Sequence, residues 1–267
     1  MSAKPSRKPL AIVATSDTHG LLEGLEDELT GDKKPDVMVF AGDIAPARFD
    51  ILPVDYIRKV FFGFVREHSD VEFVYTPGNH DIFAMQWQFI EKEAPKNLHF
   101  LMDSGCTIKG YTFYGSPWVP YINGGWAFEC ADEVEERDRF ARIPDNLDVL
   151  VTHTPPRIKH QQLDVSLQFR GGSRPFGSKA LWDFICLRKP KMVFCGHIHS
   201  ADHKPITYNH VANEVITEFR SNLKTDDYEN CTMLMNVSRV DEHYEIAYDV
   251  ARVVLLDVSV NLATARH

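Results

Sequence analysis

No CxxC pair occurs in this 267-residue chain, and its five cysteines (Cys106, Cys130, Cys186, Cys195, Cys231) form an odd set, several of them in apolar runs. Reduced core thiols and a cytoplasmic-type compartment are therefore expected rather than a disulfide framework. Glycine and proline, at 15 each, are too scarce for a collagenous or low-complexity chain. No apolar stretch approaches the roughly 18 residues of a membrane span. The run after the basic start MSAKPSRKPL, Leu10 to Ala14, is shorter than the ~7–15 residues of a signal h-region and has no small-residue cleavage site. Neither a membrane-embedded protein nor one secreted by the general route is expected. Positive charge is also short: Lys plus Arg is 29 against 38 Asp plus Glu, a net charge of −9. That field repels polyanions, and no basic aromatic stripe offers a local exception, so long nucleic acid is a disfavoured partner. No Ser/Gly-rich linker, charge block or repeat divides the chain, and nothing in it specifies an oligomeric state. At 44% hydrophobic and 25% charged residues it is expected to form one globular domain over residues 1–267.

Five short apolar runs share one form, each stopping abruptly at a polar residue beside Gly, Pro or Thr: Leu10–Thr15, Val37–Ala41, Val71–Tyr75, Val149–Val151 and Met192–Cys195. They read as buried strands. Between them lie helical patterns over Leu21–Leu29, Pro53–His68, Ile82–Glu93, Ala131–Arg142 and Ser178–Arg188, with Ser178 as N-cap of the last. Strand and helix in alternation predict an α/β protein. Late in the chain Thr232–Val237, Tyr244–Tyr248 and Ala251–Val258 read as strands without intervening helices. They point to a second, more antiparallel sheet completed by residues 201–267, hence two packed sheets with helices outside. Two long irregular segments, Ser116–Phe128 and Thr154–Gly177, are expected to be functional loops.

In α/β sheets functional groups gather at the carboxyl ends of strands, and the five runs end in a shared chemistry. Asp17, His19, Asp43, Asn79, His80, His153, His197 and His199 all lie there. Taken singly, each has a plainer reading. A lone His at a strand end is more often a hydrogen-bonded core or loop residue, a lone Gly-Asp is most often a turn, and Asn79-His80-Asp81 reads as a turn with Asn79 or Asp81 capping the next helix. Together they suggest a metal centre assembled from remote stretches. Asp17 and His19, like His197 and His199, stand at i and i+2, a spacing that at an extended strand end puts both side chains on one side, roughly 6–7 Å apart. Carboxylates, imidazoles and an amide oxygen without thiolate suit Mn, Fe, Zn or Co, with Mn favoured. Seven ligand candidates exceed what one catalytic ion would take, so two divalent ions are expected, with Asp43 as the bridge.

Asp17-x-His19, Gly42-Asp43, Gly78-Asn79-His80-Asp81, Thr152-His153 and Gly196-His197-x-His199 together resemble the calcineurin-like metallophosphoesterase superfamily over about residues 11–200. Tyr114–Trp118 and Asp148–Pro156 look most like its small metallophosphoesterase-domain proteins of the brain type and their microbial relatives. The resemblance implies a four-layer αββα fold. It also implies that Asp17, His19, Asp43 and His199 hold one metal, that Asp43, Asn79, His153 and His197 hold the other, and that His80 stands just outside as a catalytic group.

The function expected is dinuclear-metal-dependent hydrolysis of a small phosphate ester. Asp81 either orients the His80 ring or caps the following helix. A small phosphodiester such as a cyclic nucleotide is the favoured substrate, against a phosphomonoesterase, a nuclease or a non-catalytic metal-binding scaffold. Trp118, Tyr121 and Trp126 are candidates to stack a base or to form a packed flap. Arg157, Arg170 and Arg174 are candidates to hold a terminal phosphate or to be solvated loop charges.

Overall fold

The fold is known from a computed structural model that describes residues 7–47, 52–158, 176–201, 203–216, 230–256 and 260–262. Four parallel strands, β1 (Leu10–Thr15), β2 (Val37–Phe40), β3 (Glu72–Tyr75) and β4 (Leu98–Phe100), begin one sheet. The second opens with the hairpin β5 (Ser104–Ile108) and β6 (Tyr111–Ser116) and continues in parallel through β7 (Val149–Thr152) and β8 (Met192–Cys195). Strands β9 (Ile206–Asn209), β10 (Glu214–Ile216) and β11 (Cys231–Asn236) complete it, β11 lying parallel to β8 and antiparallel to β9. The chain then returns: β12 (Ala251–Leu255) pairs antiparallel with β1, Ile12 opposite Val253, and β13 (Val260–Leu262) pairs with β12. The sheet orders are β13-β12-β1-β2-β3-β4 and β10-β9-β11-β8-β7-β6-β5.

Period-two alternation sorts the strand side chains between three apolar layers. Ile12, Ala14, Val37, Val39, Val149, Val151, Met192, Phe194, Met233 and Met235 meet between the sheets. Val13, Met38, Phe40, Phe73 and Tyr75 face outward under the helices of the first sheet: α1 (Leu25–Glu28), α2 (Pro53–Tyr56), a π turn over Ile57–Phe61, α3 (Phe62–Glu67) and α4 (Gln88–Glu93). Leu150, Val193, Cys195 and Leu234 face outward under α5 (Glu133–Phe140) and α6 (Lys179–Arg188), which supply Phe140, Ala180, Leu181 and Ile185. Both sheets are thus covered on two faces, which is why their central strands read as unbroken apolar runs. The Ser178 hydroxyl accepts from the Leu181 N–H at 3.1 Å and starts α6 as expected.

Three expectations need correction. Tyr244–Tyr248 is a turn and loop with a single bridge, Val240 to Ile246, because the Asp241 carboxylate accepts from the His243 and Glu245 N–H groups and folds the chain back. The strand of Ala251–Leu255 completes the first sheet, not the second, since alternation reveals a buried face and not which neighbour pairs with it. The patterns over Leu21–Leu29 and Ile82–Glu93 hold shorter helices than expected, the latter splitting into a 3-10 turn, Ile82–Gln86, and α4. All five cysteines are free, and among the described residues no helix is long and apolar enough to cross a membrane.

Asp148, just before β7, ties the segment that enters β1 of the first sheet to β6 and to the start of β8 in the second. It accepts from Arg7 at 2.6 and 2.9 Å, from the Thr112 N–H at 2.9 Å and from Lys191 at 2.9 Å. Burial works to raise its pKa, but Arg7, the Thr112 N–H and Lys191 outweigh this and hold it below the ordinary carboxylate value. A folded pKa below the unfolded one contributes stability that is full above about pH 3.9 and is lost as pH falls through the lowered value. Asp148→Asn is therefore expected to cost about 1 kcal/mol at pH 7, partial solvent screening included. In urea melts the gap from wild type should narrow at pH 3; equal stability of the two proteins at pH 7 would contradict this account.

Candidate metal centre

The carboxyl ends of β1, β2 and β3 in one sheet and of β7 and β8 in the other converge, and backbone hydrogen bonds stitch the loops that follow them. Asp17 N–H donates to Gly42 O at 2.9 Å, His19 N–H to Asp43 O at 3.0 Å, Gly196 N–H to His153 O at 2.9 Å and Ser16 N–H to Val237 O at 2.9 Å. Asp17, His19, Asp43 and His197 all adopt left-handed backbone, with φ of 51°, 45°, 53° and 70°. An extended end was expected for the i, i+2 pairs; instead each costs about 1–2 kcal/mol of backbone strain, which the stitched loops hold in place. Three glycines permit the crowding, Gly42 lying against the His153 ring. A Cβ on Gly78 would fall on the Asp43 carboxylate and the His153 ring, and one on Gly196 would fall on the Ser16 hydroxyl and the Asp17 carboxylate.

Two clusters with metal-ligand geometry result, Asp17 with His19 and His199, and Asp17 with Asp43 and His153, the ligand atoms of each lying within 4.8 Å of one another. In the first, Asp17 Oδ2 is occupied by the Ser16 hydroxyl (2.5 Å), the Ser238 hydroxyl (2.8 Å) and the His197 N–H (2.9 Å), which leaves Oδ1 facing His199 Nε2 at 3.2 Å. His199 Nδ1 lies 3.0 Å from Asp241 O, so it carries a proton and turns Nε2 inward. Both ring nitrogens of His19 are buried without a hydrogen-bond partner. In the second cluster His153 Nδ1 lies 2.9 Å from Ala41 O, while Nε2 faces Asn79 Oδ1 at 3.0 Å and Asp43 Oδ2 at 3.2 Å. Asp43 Oδ1 accepts from the His80 N–H at 2.8 Å, so Oδ2 alone reaches both His153 and, at 3.9 Å, His19 Nε2. Asp43 Oδ2 thus faces a histidine of each cluster, while Asp17 is the carboxylate that both clusters contain. The His197 ring stands 5.0 Å from that of His153. All seven expected ligands are brought together.

Such a set of acceptors fits divalent cations. Burial lowers the His19 pKa to about 4, and burial with the neighbouring His153 lowers His197 to about 3, so both are neutral imidazoles with a lone pair to give. Burial alone would lower His153 too, but the Asp43 carboxylate reverses this and pushes it up to about 9; a proton on Nε2 stands where the donor set suits a metal.

A cavity of about 280 Å³ opens on this centre, lined by Asp43, Asn79, His80, His197 and His199 together with Phe176, Ile198, Ser200, Glu242 and Tyr244. The His80 ring lies against Trp126, centroids 4.3 Å apart, with His19 edge-on at 4.9 Å. Asp81 does not orient it: its oxygens accept from the Ala45 and Gly78 N–H groups, both at 2.9 Å, clamping the loops after β2 and β3, and its side chain makes no helix cap. Burial and the charge of Asp43 push its pKa up to about 7. Trp118 is not a cavity residue either. Its indole N–H donates to Asp103 at 2.7 Å and its ring sits under Arg139, because a half-buried indole at the end of β6 needs a polar partner. Arg157 does not line the cavity. Arg170 and Arg174 lie outside the described residues. Tyr244, Glu242, Ser16 and Ser238 went unnoticed in the sequence; the only signal for Tyr244 was the turn-forming Asp241 before it.

A family model described as calcineurin-like phosphoesterase matches residues 10–201. Metallophosphoesterase domain-containing protein 1 of Homo sapiens is 27% identical over 165 residues, 54% of this chain and 48% of that protein, and its Mus musculus counterpart gives the same values. UPF0046 protein T07D4.2 of Caenorhabditis elegans is 34% identical over 109 residues, 40% of this chain and 26% of that protein. The chain matches about half or less of the length of these relatives. One solved crystal structure superposes with a TM-score of 0.57 at 16% identity, covering 96% of this chain and 98% of its own. The structure of TT1561 of Thermus thermophilus does so with a TM-score of 0.51 at 17% identity, covering 78% and 98%. Both share the fold.

Gly196→Ala is expected to lower bound divalent metal, read by elemental analysis, and to depress the thermal midpoint by several degrees. Gly63→Ala is the control: no atom lies within 4 Å of its added Cβ, and α3 should gain about 0.5–1 kcal/mol. Equal metal content in Gly196→Ala and wild type would contradict the packing argument.

Proposed function

The chain belongs to the calcineurin-like phosphoesterase family, and on that footing we propose that it is a dinuclear-metal-dependent hydrolase of phosphate esters that favours small phosphodiesters. One observation carries the reading: Asp43 Oδ2 lies between His153 Nε2 and His19 Nε2, held there by the His80 N–H on its other oxygen. Asp17, His19, Asp43 and His199 would hold one divalent ion and Asp43, Asn79, His153 and His197 the other; when bound, such ions supply Lewis acidity to phosphoryl oxygens and a water readily deprotonated near neutral pH. Manganese is favoured because the donors are carboxylates, imidazoles and an amide, with no thiolate.

The protein's own groups do the remaining work. The imidazole of His80, in the cavity wall and braced by Trp126, has its pKa lowered by burial, so as a neutral ring it is placed to donate a hydrogen bond that stabilises the charge developing on the departing alkoxide. Phe176 and Tyr244 give the second alcohol of a diester an apolar surface. The part of the cavity wall formed by described residues carries no Lys or Arg, so that part favours a singly charged diester over a doubly charged monoester. This supports a diester, a cyclic nucleotide being one of suitable size. The net charge of −9 disfavours a long nucleic acid. Five free thiols, three with pKa values raised by burial to about 11 or 12, support a reducing, cytoplasmic setting.

With manganese supplied, bis(p-nitrophenyl) phosphate should be cleaved with at least a tenfold higher kcat/KM than p-nitrophenyl phosphate, and the reverse order would overturn the diester preference. His80→Ala should lose about 10²- to 10⁴-fold in kcat with two metals per chain retained. Asp43→Asn should lose metal and turnover together. Unchanged turnover in His80→Ala would remove that residue from the chemistry.

A further inference from the structure

Tyr244 lies beyond residues 10–201, the segment matched by the family model, so the family's motif residues do not include it. Its position is nevertheless built into the centre. Asp241 O lies 3.0 Å from His199 Nδ1 and accepts from the Tyr244 N–H at 3.0 Å, while the Asp241 carboxylate accepts from the His243 and Glu245 N–H groups. One residue thus sets the tautomer of a ligand imidazole and the turn that carries Tyr244, whose backbone is left-handed at φ 61°. The phenol ring stands edge-on to three site imidazoles at once, with centroids 4.7 Å from His19, 5.6 Å from His199 and 6.3 Å from His80.

Tyr244 lines the cavity at 39% exposure, and its hydroxyl makes no hydrogen bond to another described residue, which leaves it open to what enters the cavity. The neighbouring Ser200 hydroxyl, on the same cavity wall, is buried and likewise unpartnered. A phenol packed edge-on against three site imidazoles brings an O–H donor to a pocket otherwise rich in acceptors, where it can serve an anion. We infer that Tyr244 is a further substrate-contacting residue, its hydroxyl donating a hydrogen bond to a phosphoryl oxygen of the bound ester. The inference rests on the phosphoester reading and adds to it a donor supplied by the segment after β11. Tyr244 belongs to anion recognition as well as to the apolar wall.

The test compares wild type, Tyr244→Phe and Tyr244→Ala, each loaded with manganese, by calorimetric binding of inorganic phosphate and by kinetics on bis(p-nitrophenyl) phosphate. Tyr244→Phe keeps the ring and should bind phosphate about tenfold more weakly, with a similar fall in kcat/KM, an unchanged thermal midpoint and two metals per chain. Phosphate affinity equal to wild type in Tyr244→Phe overturns the inference, even if Tyr244→Ala is impaired, because the ring alone then accounts for the residue. Wild type that binds phosphate and cleaves no ester overturns the hydrolase reading, while the phosphate comparison still decides the contact. Wild type that binds no phosphate overturns both.

Discussion

Acceptor groups that repel one another are forced into one buried space, and the rest of the structure follows from that crowding. Asp17 and Asp43 offer carboxylate oxygens within 4.8 Å of each other, a repulsion of about 3 kcal/mol between two charges at an effective dielectric of ~20. His199 and His153 add ring nitrogens at 3.2 Å from those carboxylates, and His19 adds a ring with neither nitrogen satisfied. The Asp43 carboxylate raises the His153 pKa, the response of a site with excess negative charge, and the donor set is suited to divalent cations, which would relieve the repulsion.

The fold supplies what such crowding needs. Parallel strands of both sheets end at the same place, and Ser16 and Ser238, one from each sheet, form a bridge that joins the two rims. Three of the donors on Asp17 come from this seam, so the orientation of a ligand is set by the meeting of the sheets rather than by either alone. Left-handed backbone at four ligands and glycine at Gly78 and Gly196 let the loops approach within contact distance. Stability is spent on precision at a rim that carries chemistry.

The ligands were legible in the sequence because each follows an apolar run and stands beside a Gly, Pro or Thr that ends it. The alternation of strand and helix was legible for the same reason, buried strands being unbroken apolar runs, whereas the four layers followed from the family resemblance, since two of the three late strands read as a second sheet lie elsewhere. Strand β5 was not, since Ser104–Ile108 is mostly exposed and carries a glycine, leaving little alternation to read. The partner of Ala251–Leu255 was not, because pairing is a tertiary choice. Trp118 and Trp126 share one loop and one residue type; Asp103 and Arg139 hold the first in packing, and the second lies against His80. Tyr244 was hidden by an apparent strand pattern that an Asp241-centred turn overrides. His80 and Asp81 adjoin each other, yet burial and two backbone donors turn Asp81 into a clamp between loops.

The most direct test of this account is anomalous diffraction from crystals grown with manganese. It expects two peaks about 3.5–4 Å apart that share Asp43, one beside His19 and His199 and the other beside Asn79 and His153. A single peak, or none at full manganese saturation, would contradict it.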